Sequence, residues 1–113
     1  MKSLKLLFLV SFALLTSNLF AQENQQKTDS IKVYGECGMC KSRIEKALKH
    51  EGITTAAWDD ETKILVVTYD PIKITNDDIQ KRVAAVGHDT EKFKADDKVY
   101  KKLPGCCLYD RKP

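Results

Sequence analysis

Polar and apolar residues alternate along Ser30-Ile31-Lys32-Val33-Tyr34. A period of two marks a half-buried strand, and Gly35 ends it. The period then changes. Met39, Ile44, Ala47 and Leu48 recur at helical spacing, with Lys41, Arg43, Lys46 and Lys49 mostly off that face. This predicts a helix beginning just after Cys37, with Met39 either packed into the core or offering a soft thioether, and Gly52 as the stop. Thr54 to Trp58 and Ile64 to Tyr69 flank the polar turn Asp59-Asp60-Glu61-Thr62 and read as a hairpin, closed by Asp70-Pro71. Thr75 or Asn76 caps a second helix, with Asp77 and Asp78 in its favoured first turn, Ile79, Val83 and Val86 on its apolar face, and Gly87 after it. Thr90 to Phe93 reads as a short last strand. Asp96 to Leu103 reads as one or two helical turns, broken by Pro104-Gly105.

The order strand, helix, strand, strand, helix, strand is a split βαβ arrangement. It predicts an α+β, ferredoxin-like βαββαβ sandwich, an antiparallel sheet with two helices on one face. This domain is expected over residues 31–95, followed by a C-terminal extension over 96–113.

The start of the chain has another character. Lys2 and Lys5 precede an apolar run, Leu6 to Leu15, broken only by Ser11, and polar sequence begins after Ala21. The pattern predicts a signal peptide over residues 1–21, then a flexible polar leader over 22–30. The run is too short for a convincing membrane span. The protein is therefore expected to be exported, periplasmic or secreted. Losing Lys2 and Lys5 takes the net charge from +3 to +1. A nearly neutral chain gives no reason to expect nucleic acid as a partner.

Four cysteines remain: Cys37, Cys40, Cys106 and Cys107. Neither close pair would staple a long loop. Cys37 and Cys40 are spaced i, i+3 at a loop-to-helix junction, so their sulfurs converge. Unpaired N–H groups at a helix start favour thiolates, and both sulfurs are expected to ionise readily. Gly38 is expected to let the loop bend, and Lys41 to offset the charge of a bis-thiolate ion complex. Two thiolates suit soft ions: copper(I) first, mercury(II) also, and zinc(II) with more ligands. Redox motifs and structural disulfides share this spacing. No Ser/His/Asp order, phosphate loop or carboxylate pair stands out, so catalysis is not indicated.

The stretch Val33 to Leu48, with Gly35-Glu36-Cys37-Gly38-Met39-Cys40 at its centre, resembles the metal-binding segment of heavy-metal-associated domains. These are copper-chaperone-like modules, also found on metal-pumping ATPases and in mercury-binding periplasmic proteins. Gly52, Val66 to Pro71, and Ile79 to Gly87 continue the resemblance, which spans roughly residues 31 to 93 and implies the ferredoxin-like fold. The family usually carries Gly-Met-x-Cys before its second cysteine; here the loop is one residue shorter and the methionine sits inside the pair. Gly87-His88 stands where the family often has Gly-Tyr or Gly-Phe. The family's fold brings that loop near the cysteines, which makes His88 a candidate third ligand.

Cys106-Cys107 lies beyond the usual domain. The tail either folds back to complete a three- or four-sulfur site with Cys37 and Cys40, locks onto that pair by disulfide when metal is absent, or binds metal by itself or bridges to another molecule. His50 is expected to sit against the negative end of the first helix. The candidate metal ligands are thus Cys37, Cys40, His88, Cys106 and Cys107. The expectation is a non-enzymatic, exported copper(I) chaperone or scavenger. Its expected partners are a metal-transporting ATPase, an efflux component or another copper protein, with a metal-bridged homodimer as an alternative assembly. The rival function is a thiol–disulfide oxidoreductase using the same C-x-x-C; a passive module with paired cysteines is the third reading.

Overall fold

Strand β1 (Lys27–Lys32) starts three residues before the alternating stretch that marks it in the sequence. The computed structural model describes residues 25–113; the expected signal peptide and the first leader residues lie outside them. β1 pairs antiparallel with β3 (Ile64–Tyr69) from Lys27↔Tyr69 to Lys32↔Ile64. Residues 27–30, expected in the leader, are therefore sheet residues. Their polar side chains find cross-strand partners: the hydroxyls of Thr28 and Thr68 are 2.8 Å apart, and Asp29 accepts hydrogen bonds from Tyr69 Oη and Asn76 Nδ2. The unbroken polar run hid the strand, because those partners lie far along the chain.

β2 (Ile53–Trp58) pairs with the other edge of β3, giving the sheet order β1-β3-β2. In β3, Leu65, Val67 and Tyr69 are buried while Val66 is exposed, so one face of the sheet carries the core. Two helices supply the other half of that core. Helix α1 (Gly38–Ala47) buries Cys40 and Ile44, continued by Leu48, at spacing i, i+4, i+8. Helix α2 (Asn76–Ala85) buries Ile79 and Val83 and begins with a reciprocal capping box between Thr75 and Asp78. Each large aliphatic side chain buried this way contributes about 1.5–3 kcal/mol. Among the described residues no helix is long and apolar enough to cross a membrane.

Two expectations are corrected. Met39 does not face the core; it is 51% exposed. Successive helical residues diverge by about 100°, so the Cys40–Ile44–Leu48 stripe turns Met39 outward. The last strand also fails to form beyond a single bridge, Val33↔Thr90. Tyr34 N–H donates to Asp89 O and Glu91 N–H to Lys32 O, but then the chain turns back, with Thr90 N–H donating to Phe93 O. Gln80 drives this turn. Its buried side-chain oxygen accepts from Thr90 Oγ1 (2.8 Å) and Lys92 N–H (3.0 Å), drawing the segment toward α2.

α1 is tied to the hairpin by polar contacts. Glu45 accepts from Trp58 N–H at 2.9 Å and pairs with Lys41, whose ammonium also donates to Trp58 O at 2.9 Å. The Trp58 indole is buried and donates to Val33 O at 3.0 Å. His50 lies beyond the helix end, with Nδ1 donating to Glu51 O at 2.8 Å rather than to the helix carbonyls. Asp59 closes the hairpin turn by accepting from the N–H groups of Glu61 and Thr62.

The extension is packed onto the domain. α3 (Asp97–Lys101), capped by Asp96, leads to Leu103 and a short 3-10 turn, Gly105–Cys107. Leu103 abuts Gly87, whose φ of 105° suits glycine and whose Cβ position lies 3.1 Å from Leu103 Cδ2. Tyr109 Oη donates to Gly87 O at 2.7 Å and accepts from Asp89 N–H at 2.9 Å. Arg111 clasps the fully buried Asp89 through Nη2 (2.8 Å) and Nε (3.1 Å) and lies over the Tyr100 ring. Lys112 donates to Thr90 O at 2.8 Å.

The Arg111–Asp89 pair sets a stability prediction. Removing one partner of a buried pair strands the other charge, so Arg111→Ala should lose about 3–5 kcal/mol in urea unfolding. The guanidinium holds Asp89 below the usual carboxylate range, though burial alone would raise it. A depressed folded pKa adds stability above the unfolded value of about 3.9. The gap between wild type and Arg111→Ala should therefore close as pH falls below about 4. A gap independent of pH would contradict this account.

Candidate metal centre

Cys37 is the N-cap residue of α1, in extended backbone, and Cys40 is the third residue of the helix. That spacing puts both sulfurs at the helix start, Cys37 half-exposed and Cys40 fully buried. The glycine that shapes the loop is Gly35. A Cβ there would lie 2.9 Å from the Trp58 ring and 3.3 Å from Cys40 Cβ. Gly38, expected to serve this purpose, has nothing within 4 Å of its Cβ position. The loop passes close to Trp58 because the indole N–H is anchored on Val33, two residues before Gly35.

The tail supplies a third sulfur. Cys107 is buried, with Sγ 3.7 Å from Cys37 Sγ. The ligating sulfurs of Cys37, Cys40 and Cys107 all lie within 4.8 Å of one another. All four cysteines are free thiols. Cys106 faces outward, with Sγ 3.9 Å from Cys107 Sγ and 3.3 Å from Met39 Sδ. An open groove beside these atoms is lined by Cys37, Met39, Ser42, Arg43, Lys46 and Cys106.

The two thiols of the first pair differ, contrary to the expectation that both ionise readily. The Cys40 N–H, the main cause, brings Cys37 down to about 7 against the opposing effect of burial; Met39 N–H and the neighbouring thiols assist. Burial dominates at Cys40 and pushes it up to about 11, outweighing nearby N–H groups. One sulfur is thus poised as an accessible thiolate, and the other is held as a buried thiol.

Other expected participants lie differently. His88 is fully buried and stacks on Tyr109, with ring centroids 5.3 Å apart. Burial lowers its pKa and keeps it neutral. Nδ1 lies 2.9 Å from Tyr34 O, a pure acceptor, so Nδ1 carries the proton and Nε2 holds a lone pair without a partner. The structure does not bring that nitrogen into the sulfur cluster. Lys41 is engaged by Glu45 and Trp58 O, so its charge serves the helix–hairpin contact rather than the sulfurs. Arg43 and Lys46 are the basic groups on the groove.

Sequence reading missed Asp89, Tyr109 and Arg111, which hold the tail in place. A signal was present: Cys107, Tyr109 and Arg111 fall on alternate positions, the pattern of an extended segment with one face covered. Leu108 and Asp110 between them are exposed.

The unequal thiols predict unequal chemistry. In the reduced protein, alkylation of Cys37 by iodoacetamide should follow a titration centred near pH 7. Cys40 should stay unmodified throughout that range. Peptide mass mapping after short exposures reads both; Cys40 reacting alongside Cys37 would contradict the assignment.

Comparison with known proteins follows this geometry closely. A model of the heavy-metal-associated domain matches residues 36–89. A zinc-transporting ATPase of Synechocystis sp. (strain PCC 6803) is 38% identical over 69 residues, which are 59% of this chain and 10% of that protein. The chain thus spans about a tenth of the curated relative it matches. The CopZ metallochaperone structure superposes with a TM-score of 0.55 at 30% identity, over 57% of this chain and 98% of that one. Oxidised MerP from Ralstonia metallidurans CH34 gives 0.56 at 29% identity, over 59% of this chain and 96% of that one. The fold, the helix-start cysteines and these matches agree: the chain belongs to the heavy-metal-associated domain family and binds metal through a cysteine pair.

Proposed function

We propose that the protein is exported and carries copper(I), held by the sulfurs of Cys37, Cys40 and Cys107. The observation that supports this reading is the convergence of three sulfurs within 4.8 Å, one of them delivered by the tail. An all-sulfur set of low coordination number suits a soft monovalent ion. Zinc(II) asks for a fourth ligand that the cluster lacks, and mercury(II) is the other soft candidate. The proposed role is that of a carrier or scavenger rather than a catalyst.

Cys37 makes the first contact as a thiolate. The ion then displaces the protons of Cys40 and Cys107 to solvent, forming two further metal–sulfur bonds. Delivery runs in reverse: a partner's thiolates approach through the open groove and replace the sulfurs one by one. The relatives' names include a metallochaperone and a metal-transporting ATPase, which supports an ATPase or a second copper protein as the exchange partner. Cys107 supplies a third sulfur from the same chain, which favours a monomeric complex over a metal-bridged dimer.

Native mass spectrometry of the reduced protein, titrated with copper(I), zinc(II) and mercury(II), tests the reading. Copper(I) should bind to the monomer, and Cys37→Ser/Cys40→Ser should abolish tight binding. Cys107→Ser should keep the ion but weaken it at least about tenfold, roughly 1.4 kcal/mol. A double mutant that holds copper(I) as firmly as wild type would sink the assignment.

The pH dependence has a definite sign. Each proton the ion displaces makes apparent affinity rise about tenfold per pH unit. Cys40, raised to about 11, is protonated at neutral pH, so copper(I) affinity should climb with pH. The climb should be steepest below about 7, where Cys37 is protonated too. Competition with a chelator of known pH behaviour measures it, and a flat profile would contradict thiol ligation.

A further inference from the structure

We infer that Met39 and Cys106 form a second, outer copper(I) site that shares Cys107 with the inner cluster, so the reduced protein holds two ions. This rests on the reading of the inner sulfurs as the first ion's ligands.

Met39 is an apolar residue left half in water on the helix that carries the cysteine pair. Its position is not explained by packing, since the buried stripe runs through Cys40, Ile44 and Leu48. What its sulfur touches is another sulfur: Sδ lies 3.3 Å from Cys106 Sγ. Cys106 Sγ lies 3.9 Å from Cys107 Sγ, and Cys107 Sγ lies 3.7 Å from Cys37 Sγ. The sulfurs therefore form a continuous row from the exposed groove to the buried cluster. Two sulfurs on one ion, each about 2.3 Å from it, sit roughly 4 Å apart in trigonal geometry. The Cys106–Cys107 and Cys37–Cys107 spacings of 3.9 and 3.7 Å already match this, and the Met39–Cys106 contact of 3.3 Å must open by roughly 0.7 Å.

A thiolate has lone pairs enough to bridge two ions, and Cys107 lies close to both Cys37 and Cys106. The outer ion would rest on Cys106 thiolate, Cys107 thiolate and the Met39 thioether, a soft, neutral donor. Binding it forms copper–sulfur bonds and releases the Cys106 proton to water; copper stays monovalent and no electron moves. Two cuprous ions with four thiolates carry a net charge of −2. Arg43 and Lys46 line the same groove and oppose that charge, and Lys46 sits one helical turn from Arg43.

The test uses reduced protein and copper(I) supplied as an acetonitrile complex. Native mass spectrometry should show two ions on wild type, one on Cys106→Ser, and a second ion weakened at least tenfold in Met39→Leu. Both residues are exposed, and retention of the first ion reports that each variant is folded. Protein labelled with [methyl-13C]methionine gives the second readout, its Met39 signal assigned by loss in Met39→Leu. That signal should move with the second equivalent of copper(I) and not with the first. Two ions on Cys106→Ser, one ion on wild type, or a Met39 methyl unmoved at two equivalents overturns the outer site alone. Wild type that takes up no ion overturns the inner assignment, and the outer site with it.

Discussion

A carboxylate with no access to water has to be answered by a charge, and Asp89 is answered by Arg111. The rest of the sulfur geometry follows from this pair. Asp89 follows the loop that ends α2, and Arg111 sits near the chain's C-terminus, so their contact folds the tail across the domain. Ala95 N–H donates to the same carboxylate at 2.7 Å, which fixes the intervening segment as well. Between these anchors Tyr109 is pinned at both edges of its hydroxyl, and Cys107, two residues earlier, is held beside Cys37. The third thiol is a product of electrostatics at a site that contains no sulfur.

The parts of the molecule that could be read from the sequence are those governed by near neighbours. The C-x-x-C at a helix start, the 53–69 hairpin and the Thr75 cap all depend on residues within a few positions of one another. The parts that could not be read depend on distant partners. Lys27 to Ser30 became a strand because Tyr69, Thr68 and Asn76 meet their polar groups. The segment after Thr90 abandoned the sheet because Gln80, ten residues back, offers a buried acceptor. Lys41 was claimed by Glu45 and the end of the hairpin, a competition that residue spacing alone does not reveal. Met39 was misread for a subtler reason. Periodicity locates a helical face only to within a residue or so near its start, and one step there is a rotation of about 100°.

The relatives show how little of metal preference resides in the fold. A zinc-transporting ATPase, a metallochaperone and a MerP protein each resemble somewhat under three-fifths of this chain. The soft donors of this chain lie at the margins of the matched unit: Met39 inside the cysteine pair near its start, and the two cysteines of the extension beyond its end. Coordination number and ligand softness are set by such marginal residues, while the sandwich beneath only aims them.

The close fit of Gly35 against Trp58 has a practical side. Trp58 is the chain's single tryptophan, and its ring stands next to the loop that carries the cysteines, with Cys40 Cβ just across from it. Fluorescence excited at the indole band therefore arises from one spot, shielded from solvent and adjoining the sulfurs. Heavy, polarisable cations quench indole emission at short range, so the molecule contains its own optical gauge of what arrives beside that ring.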